Sequence, residues 1–372
     1  MKISSHKRIA IIFGTIVFPA ISLFAQTPTP TPKISEEDQV IKVDSRLVIV
    51  PVSVVNANGD PVLGLKAQDF RVAEENRPQT IDSVSDAESV PLEIALLFDV
   101  SASTDAMFTF EQETAAKFLQ EVMRPSDRAT IFTIGERPIL VQSRDSAERS
   151  AIAIRSIRPT KQFTAFYDSI SEAAAYLQKS AQQGTRRVIV VISDGEDTNS
   201  AGIAKAIQDG YKTLGAKINT IDSKSLYRFT VLKRDEANAS ERIRVSKSLQ
   251  NADTVFYSIN PAGSSYLLNT MSLFGQGNME KFAGETGGTA FLPKFLPIDL
   301  KDERQNSSNA RRNAVTLETI FRQLANELRA QYLVQYYSEA EFPLNKYVKL
   351  DVRLTSPSNL RIRARQGYYV KN

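Results

Sequence analysis

Four short apolar runs, separated by helical patterns, constrain the fold of this 372-residue chain more than any other feature. The runs occupy residues 94–98, 130–134, 188–192 and 254–259. Continuous apolar runs of this length are typical of strands that are buried on both faces. Between them, apolar residues recur with helical spacing in 110–123 and 166–180. Strands that alternate with helices predict an α/β fold with a doubly wound, mostly parallel sheet.

Strand patterns lie on both sides of this α/β region. Residues 39–90 contain about four short strands punctuated by a turn at 56–61, where Asn, Gly and Pro supply turn geometry. After a helical pattern at 315–330, the chain becomes β-rich again. In its last two strand patterns, KYVKLDVRL and LRIRARQGYYV, apolar residues alternate with charged ones, and we assign residues 336–372 to C-terminal strands. We predict an N-terminal β-domain, an α/β domain over 91–335, and C-terminal strands that pack with the N-terminal ones in a small β-sandwich.

Two polar segments interrupt the pattern. Residues 222–248 are rich in charged side chains, and we predict a partly helical, exposed insertion there. Residues 301–313 have the composition of a flexible surface loop.

The N-terminus has the pattern of an export signal. Lys2, Lys7 and Arg8 precede an apolar stretch at 9–25, and the small Ala25 can precede a cleavage point. Residues 1–25 therefore predict a signal peptide, with an uncleaved membrane anchor as the alternative. Residues 26–38 form a Pro/Thr linker. No other segment is comparably apolar, so we expect no membrane span in the mature protein, which would be periplasmic, cell-surface or secreted.

Missing residue types exclude several kinds of chemistry. The chain has no Cys, and its one His is His6, inside the predicted signal. The mature protein therefore has no thiol nucleophile, no Ser-His-Asp triad and no His-ligated metal. A metal site must be built from oxygen atoms, which favours Mg²⁺, Mn²⁺ or Ca²⁺. The net charge of +4 falls to +1 without residues 1–25, so nucleic acid is not an expected partner.

Several oxygen-bearing side chains follow predicted strands or precede a predicted helix. They are Asp99, Ser101, Ser103, Thr164 and Asp194. In open α/β sheets, ligands bind beyond the carboxyl ends of the strands. In a doubly wound sheet, neighbouring strands would bring these loops together. Taken singly, Asp99 can be a cap for the following helix and Thr164 can be an N-cap.

The set resembles a known family. The D-x-S-x-S pattern from Asp99 to Ser103, the Thr of TAFYD and the Asp of SDG resemble the von Willebrand factor type A domain. The stretches GLKAQDFRVAEENRPQTIDSV, ETGGTAF, YLVQYY and RIRARQGYY resemble a family of exported bacterial proteins related to that domain. Two stretches depart from the resemblance, namely residues 222–248 and the KQF before Thr164.

The resemblance implies a metal-ion-dependent adhesion site. Its hydroxyls would coordinate Mg²⁺ directly, its aspartates directly or through water, and one position would stay open for an Asp or Glu carboxylate of a partner protein. It implies a non-enzymatic adhesion or protein-interaction module. One alternative is a Mg²⁺-dependent hydrolase or phosphatase, although the second acid such enzymes need two residues after the first is Ser101 here. Another is a scaffold with a structural or vacant metal site.

Overall fold

The computed structural model describes residues 45–101, 105–160, 163–261, 270–298, 301–356 and 359–371. Residues Asp44–Asn372 form one compact unit. The predicted signal and the Pro/Thr linker lie outside the described residues. Within the described ranges, no helix combines the length and apolarity that a bilayer crossing requires.

The described residues form strands and helices with the following bounds. The strands are β1 Arg46–Val55, β2 Phe70–Glu74, β3 Arg77–Gln79, β4 Ile81–Asp86, β5 Leu92–Asp99, β6 Arg128–Ile134, β7 Ile139–Asp145, β8 Arg186–Ile192, β9 Thr254–Ile259, β10 Ala290–Phe291, β11 Tyr332–Ser338, β12 Tyr347–Leu354, β13 Arg361–Ala364 and β14 Gly367–Tyr369. The helices are α1 Asp105–Val122, α2 Ala147–Ser156, α3 Phe166–Ser180, α4 Ala201–Leu214, α5 Ser223–Asn251, α6 Thr270–Thr286 and α7 Glu303–Arg329.

A six-stranded sheet with the order β10-β9-β8-β5-β6-β7 forms the centre of the molecule. All neighbouring strands are parallel except β7, which runs antiparallel to β6. Every residue of β5 is buried, and its alternate side chains enter two separate cores. Leu96 and Phe98 pack with α1 and α7, whereas Leu97 packs with α3, α5 and α6. The predicted doubly wound α/β sheet is confirmed, with burial on both faces as the apolar runs indicated.

Strands from the two ends of the described chain form two four-stranded sheets. Their orders are β13-β1-β11-β4 and β14-β12-β2-β3. In the first, β1 pairs antiparallel with β11, with Val50 opposite Val334. In the second, β2 pairs with β12, with Val72 opposite Val352. N- and C-terminal strands thus combine in one small β-sandwich, as predicted. Because β11 begins at Tyr332, our domain boundary at 335 falls inside this strand.

The interior of the sandwich contains a buried carboxylate. Glu74 accepts hydrogen bonds from the hydroxyls of Tyr336 (3.0 Å), Ser338 (2.7 Å) and Tyr368. Buried polar groups need such partners, because an unpaired one keeps its full desolvation cost. Glu74 therefore links strands of both sheets.

The predicted exposed insertion at 222–248 is wrong for its second half. This segment lies within the 29-residue helix α5, which buries Ala237, Glu241, Val245 and Leu249. These positions are four residues apart, so they form one stripe along the helix. Its apolar members, Ala237, Val245 and Leu249, join the core on one face of the sheet, whereas the first half of the helix exposes residues such as Leu232. The sparse stripe was concealed by the many charged residues around it.

The predicted loop at 301–313 is also wrong, because residues 303–313 form the start of α7. Asp302 caps this helix by accepting a hydrogen bond from the backbone N–H of Arg304 (2.9 Å). Asn313 is buried and pairs with both backbone groups of Leu296, each at 2.8 Å. Polar side chains here hold the preceding segment against the helix. The polar composition had indicated exposure to solvent, so these contacts were not expected.

Candidate metal-binding site

Asp99 is the last residue of β5 and is buried, with 7% of its surface exposed. One carboxylate oxygen, Oδ1, accepts hydrogen bonds from the backbone N–H (2.9 Å) and the hydroxyl (2.6 Å) of Ser101. The other, Oδ2, accepts from the hydroxyl of Ser193 at 2.6 Å. Burial raises the pKa of Asp99 despite these hydrogen bonds, and the charge of Glu196 adds to the increase. Both carboxylate oxygens therefore lie against hydroxyl groups in a desolvated place.

Ser193 is a site residue that sequence reasoning missed. Because β5 and β8 are parallel neighbours with Phe98 opposite Ile192, the next residues, Asp99 and Ser193, meet at the strand ends. The Ser193 hydroxyl also accepts the backbone N–H of Gly195 at 3.1 Å. It therefore orients the Asp99 carboxylate and fixes the start of the next loop. Its place directly before Asp194 was the available signal.

Asp194 lies in the loop after β8. Burial and the charge of Asp99 raise its pKa to about 7. Its Oδ1 accepts the backbone N–H of Glu196 at 3.0 Å. Gly195 has a φ of +79°, and a Cβ at this residue would lie 2.6 Å from the carbonyl oxygen of Gly275 in α6. Glycine is thus required for both the backbone conformation and the close approach of α6.

Thr164 is buried in a segment that joins two loops at the carboxyl edge of the sheet. Its carbonyl oxygen accepts the backbone N–H of Thr198, at 2.9 Å, from the loop after β8. The next residue, Ala165, donates its backbone N–H to Gly135, which follows β6, at 2.7 Å. The N-cap of α3 is Ala165, so the alternative of Thr164 as an N-cap is wrong.

Asp197, in the loop after β8, is buried. Its Oδ2 accepts the backbone N–H of Tyr167 (2.9 Å) and the hydroxyl of Ser200 (2.5 Å). Its Oδ1 accepts the backbone N–H of Ser200 at 2.9 Å. Asp197 thereby holds the loop after β8, which contains Asp194, against the start of α3.

Glu111, on α1, is a second carboxyl that the sequence did not indicate. It is 5% exposed, and burial together with the charge of Asp99 raises its pKa to about 8. Burial and the charge of Asp99 thus disfavour the charged forms of both Asp194 and Glu111.

Residues 94–196 match the family model of the von Willebrand factor type A domain. The match begins in β5, ends at Glu196, and so contains Asp99, Thr164 and Asp194. Over this segment, the chain is similar to the von Willebrand factor type A domain. No significantly similar sequence is found among curated proteins.

Solved structures similar to this chain come from several organisms. Proximal thread matrix protein 1 from the mussel byssus, in a structure with a zinc-occupied MIDAS motif, is 11% identical with a TM-score of 0.39; the match covers 68% of this chain and 50% of that one. The PilB minor pilin from Streptococcus sanguinis is 17% identical with a TM-score of 0.40, over 64% and 62%. BatB from Bacteroides thetaiotaomicron is 13% identical with a TM-score of 0.32, over 62% and 99%. The chain spans about half the length of the mussel protein.

The donor atoms at the carboxyl edge of the central sheet suit a hard cation. Among the described residues, no group of three or more His, Cys, Asp or Glu side chains is placed to hold a metal ion. The predicted set has only two carboxylates, however, and its other members are hydroxyls, which are ligands for Mg²⁺, Mn²⁺ or Ca²⁺. In the structure, Asp99 accepts a hydrogen bond from Ser101, and Asp194 is close enough for the charge of Asp99 to raise its pKa. Ser103 lies outside the described residues.

Proposed function

We propose that the type A domain is a non-enzymatic protein-interaction module that binds through a divalent cation, Mg²⁺ by preference or else Mn²⁺ or Ca²⁺. The ligands would be Asp99, Ser101, Ser103, Thr164 and Asp194. The observation that carries the proposal is the buried Asp99 carboxylate, which has hydroxyl groups on both oxygens and the carboxyl of Asp194 nearby.

A divalent cation fits the electrostatics of this place. Burial of two carboxyls raises the pKa of each, and a cation between them would favour their charged forms instead. Ser193 would hold Asp99 in position, because its hydroxyl donates to Oδ2 while its oxygen accepts from Gly195. Mg²⁺ prefers six oxygen ligands and usually retains water. Neutral hydroxyl ligands leave it able to attract an external carboxylate, so the partner group we propose is an exposed Asp or Glu of another protein.

We also propose that the protein acts outside the cytoplasm. The pattern of residues 1–25 supports export, and the absence of Cys is compatible with it because a unit of this size can be stable without disulfides. An interaction module fits the chain better than a hydrolase, since Ser101 stands where the second acid of an aspartate-dependent phosphotransferase would be.

Metal binding is tested by thermal unfolding in increasing Mg²⁺ or Mn²⁺. A ligand that binds only the folded state stabilises it by about 2.7 kcal/mol at 100 times its Kd. We expect the melting temperature to rise for the wild type and for the control D82N, whose substituted side chain is exposed on β4. It should not rise for D99N. Equal metal responses in D99N and wild type would refute the assignment.

Partner chemistry is tested with pairs of peptides that differ only in a central Glu or Gln. Binding of the Glu peptides in Mg²⁺, with loss in EDTA and in D99N, is the expected result. Metal-dependent turnover of a phosphate ester without any such binding would favour the hydrolase. A metal response without either activity would favour a scaffold with a structural metal.

A further inference from the structure

A cleft lies at the opposite end of the central sheet from Asp99. It is bounded by the first residues of β8 and β9 on one side and by β1 and β11 of the sandwich on the other. Its cavity has a volume of about 240 Å³. Its lining is distinguished by three guanidinium groups, those of Arg186, Arg187 and Arg365, with Asp253 as the acidic member.

Arg186 and Arg187 are held in place by carbonyl groups. Nη1 of Arg186 donates to the carbonyl of Leu328 (2.9 Å) and to Oε1 of Gln331 (3.1 Å). Nη1 of Arg187 donates to the carbonyl of Ala252 at 3.0 Å. Within the described part of the chain, neither makes an ion pair within 4.0 Å. Burial lowers the pKa of Arg186 to about 10, which reflects the cost of an unpaired, desolvated charge.

Arg365 adds a third positive charge and is fixed across the cleft. It forms an ion pair with Asp253, and its Nη2 donates to the carbonyl of Ile49 in β1 at 2.7 Å. Desolvation would raise the pKa of Asp253, but the charges of Arg365, Lys371 and Arg187 lower it below its usual value. Positive charge therefore predominates around the one carboxylate.

These arginines also have donor capacity that the protein does not use. The Nε–H groups of Arg186, Arg187 and Arg365 are all buried without a hydrogen-bond acceptor. A buried donor without a partner keeps its desolvation cost, which is larger when the group is charged. All three residues line the same cavity, so an acceptor bound there could pair with these donors once the side chains turn towards it.

We propose that this cleft binds a small oxyanion, a carboxylate or phosphate group, through Arg186, Arg187 and Arg365. Guanidinium groups pair with planar or tetrahedral oxyanions through parallel N–H donors. The cavity is smaller than the range of about 300–1,000 Å³ that drug-sized ligands occupy, so a compact anion suits it. The proposal is independent of the metal site, which lies at the other edge of the sheet.

The test is calorimetric titration of the full chain with inorganic phosphate and, separately, with succinate. EDTA is present, and chloride keeps the ionic strength constant. We expect saturable binding of at least one anion by wild type and by R149Q, whose substituted side chain is 76% exposed on α2. R187Q should weaken that binding about tenfold or more, since hydrogen bonds to charged groups contribute about 1.5–3 kcal/mol. Which anion binds shows whether phosphate or carboxylate is preferred.

A purely structural role for these arginines, as partners of helix-terminal carbonyls, gives a different result. R187Q would then lower the melting temperature without anion and leave the anion response unchanged, which would overturn the proposal. Absence of saturable binding of either anion by wild type would also overturn it. R187K is a second variant in case R187Q does not fold. It keeps the positive charge but loses the planar guanidinium group. We expect it to fold and to bind the anion more weakly than wild type.

Discussion

Replacement of Glu111 by Gln should stabilise the metal-free protein at neutral pH. The pKa of Glu111 is raised from 4.5 to about 8 by burial and by Asp99, so folding at pH 7 requires this carboxyl to take up a proton that the unfolded chain has released. The cost is about 1.4 kcal/mol for each pH unit above 4.5, or about 3 kcal/mol at pH 7. Stability is complete below pH 4.5 and is lost as the pH rises towards 8.

Urea unfolding in EDTA between pH 4 and pH 8 measures this effect. We expect the stability of E111Q to equal that of wild type at pH 4 and to exceed it by up to about 3 kcal/mol at pH 7. E113Q is the matched control on the same helix, because Glu113 is 45% exposed and a hydrogen bond from Arg155 lowers its pKa. Its substitution should destabilise by less than about 1 kcal/mol, and only above pH 4. A pH-independent difference between E111Q and wild type would show that the pKa of Glu111 is not raised in the folded protein.

Three further substitutions test the packing. L249A should cost about 2–5 kcal/mol in urea unfolding, because Leu249 is buried against the sheet, whereas L232A on the same helix should change stability by about 0.5 kcal/mol or less; equal losses would contradict the packing of α5. G195A should lower stability by more than about 1 kcal/mol and weaken Mg²⁺ binding, since a Cβ meets the backbone of α6; an unchanged melting curve would contradict this. E74A should cost about 3 kcal/mol, as three buried hydroxyls lose their acceptor, and a loss below about 1 kcal/mol would show that they find other partners.

The central sheet could be predicted because its inner strands are buried on both faces, which leaves continuous apolar runs such as 188–192. Strands without that burial left no such signal. The edge strand β7 exposes Ile139 and Leu140, and β10 has only two residues. Helices with few apolar residues were mistaken for solvated segments, because a stripe such as that of Val245 and Leu249 is diluted by charged neighbours.

The site could be predicted only in part, for a related reason. Asp99 and Asp194 were identified because each follows an apolar strand, and the end of a strand is visible in sequence. Ser193 depends on the register between β5 and β8, and Glu111 depends on which face of α1 meets the sheet. Both are three-dimensional properties that a single sequence does not encode locally.

A crystal structure with Mn²⁺, recorded with anomalous scattering, tests the metal site most directly. We expect one strong peak at the carboxyl edge of the central sheet, with the hydroxyl of Ser101 at a ligand distance of about 2–2.6 Å and with Asp99, Thr164 and Asp194 around it. The peak should be absent in D99N crystals treated in the same way. No peak in the wild type, or a peak remote from Asp99 and Asp194, would show that these residues do not hold a metal ion.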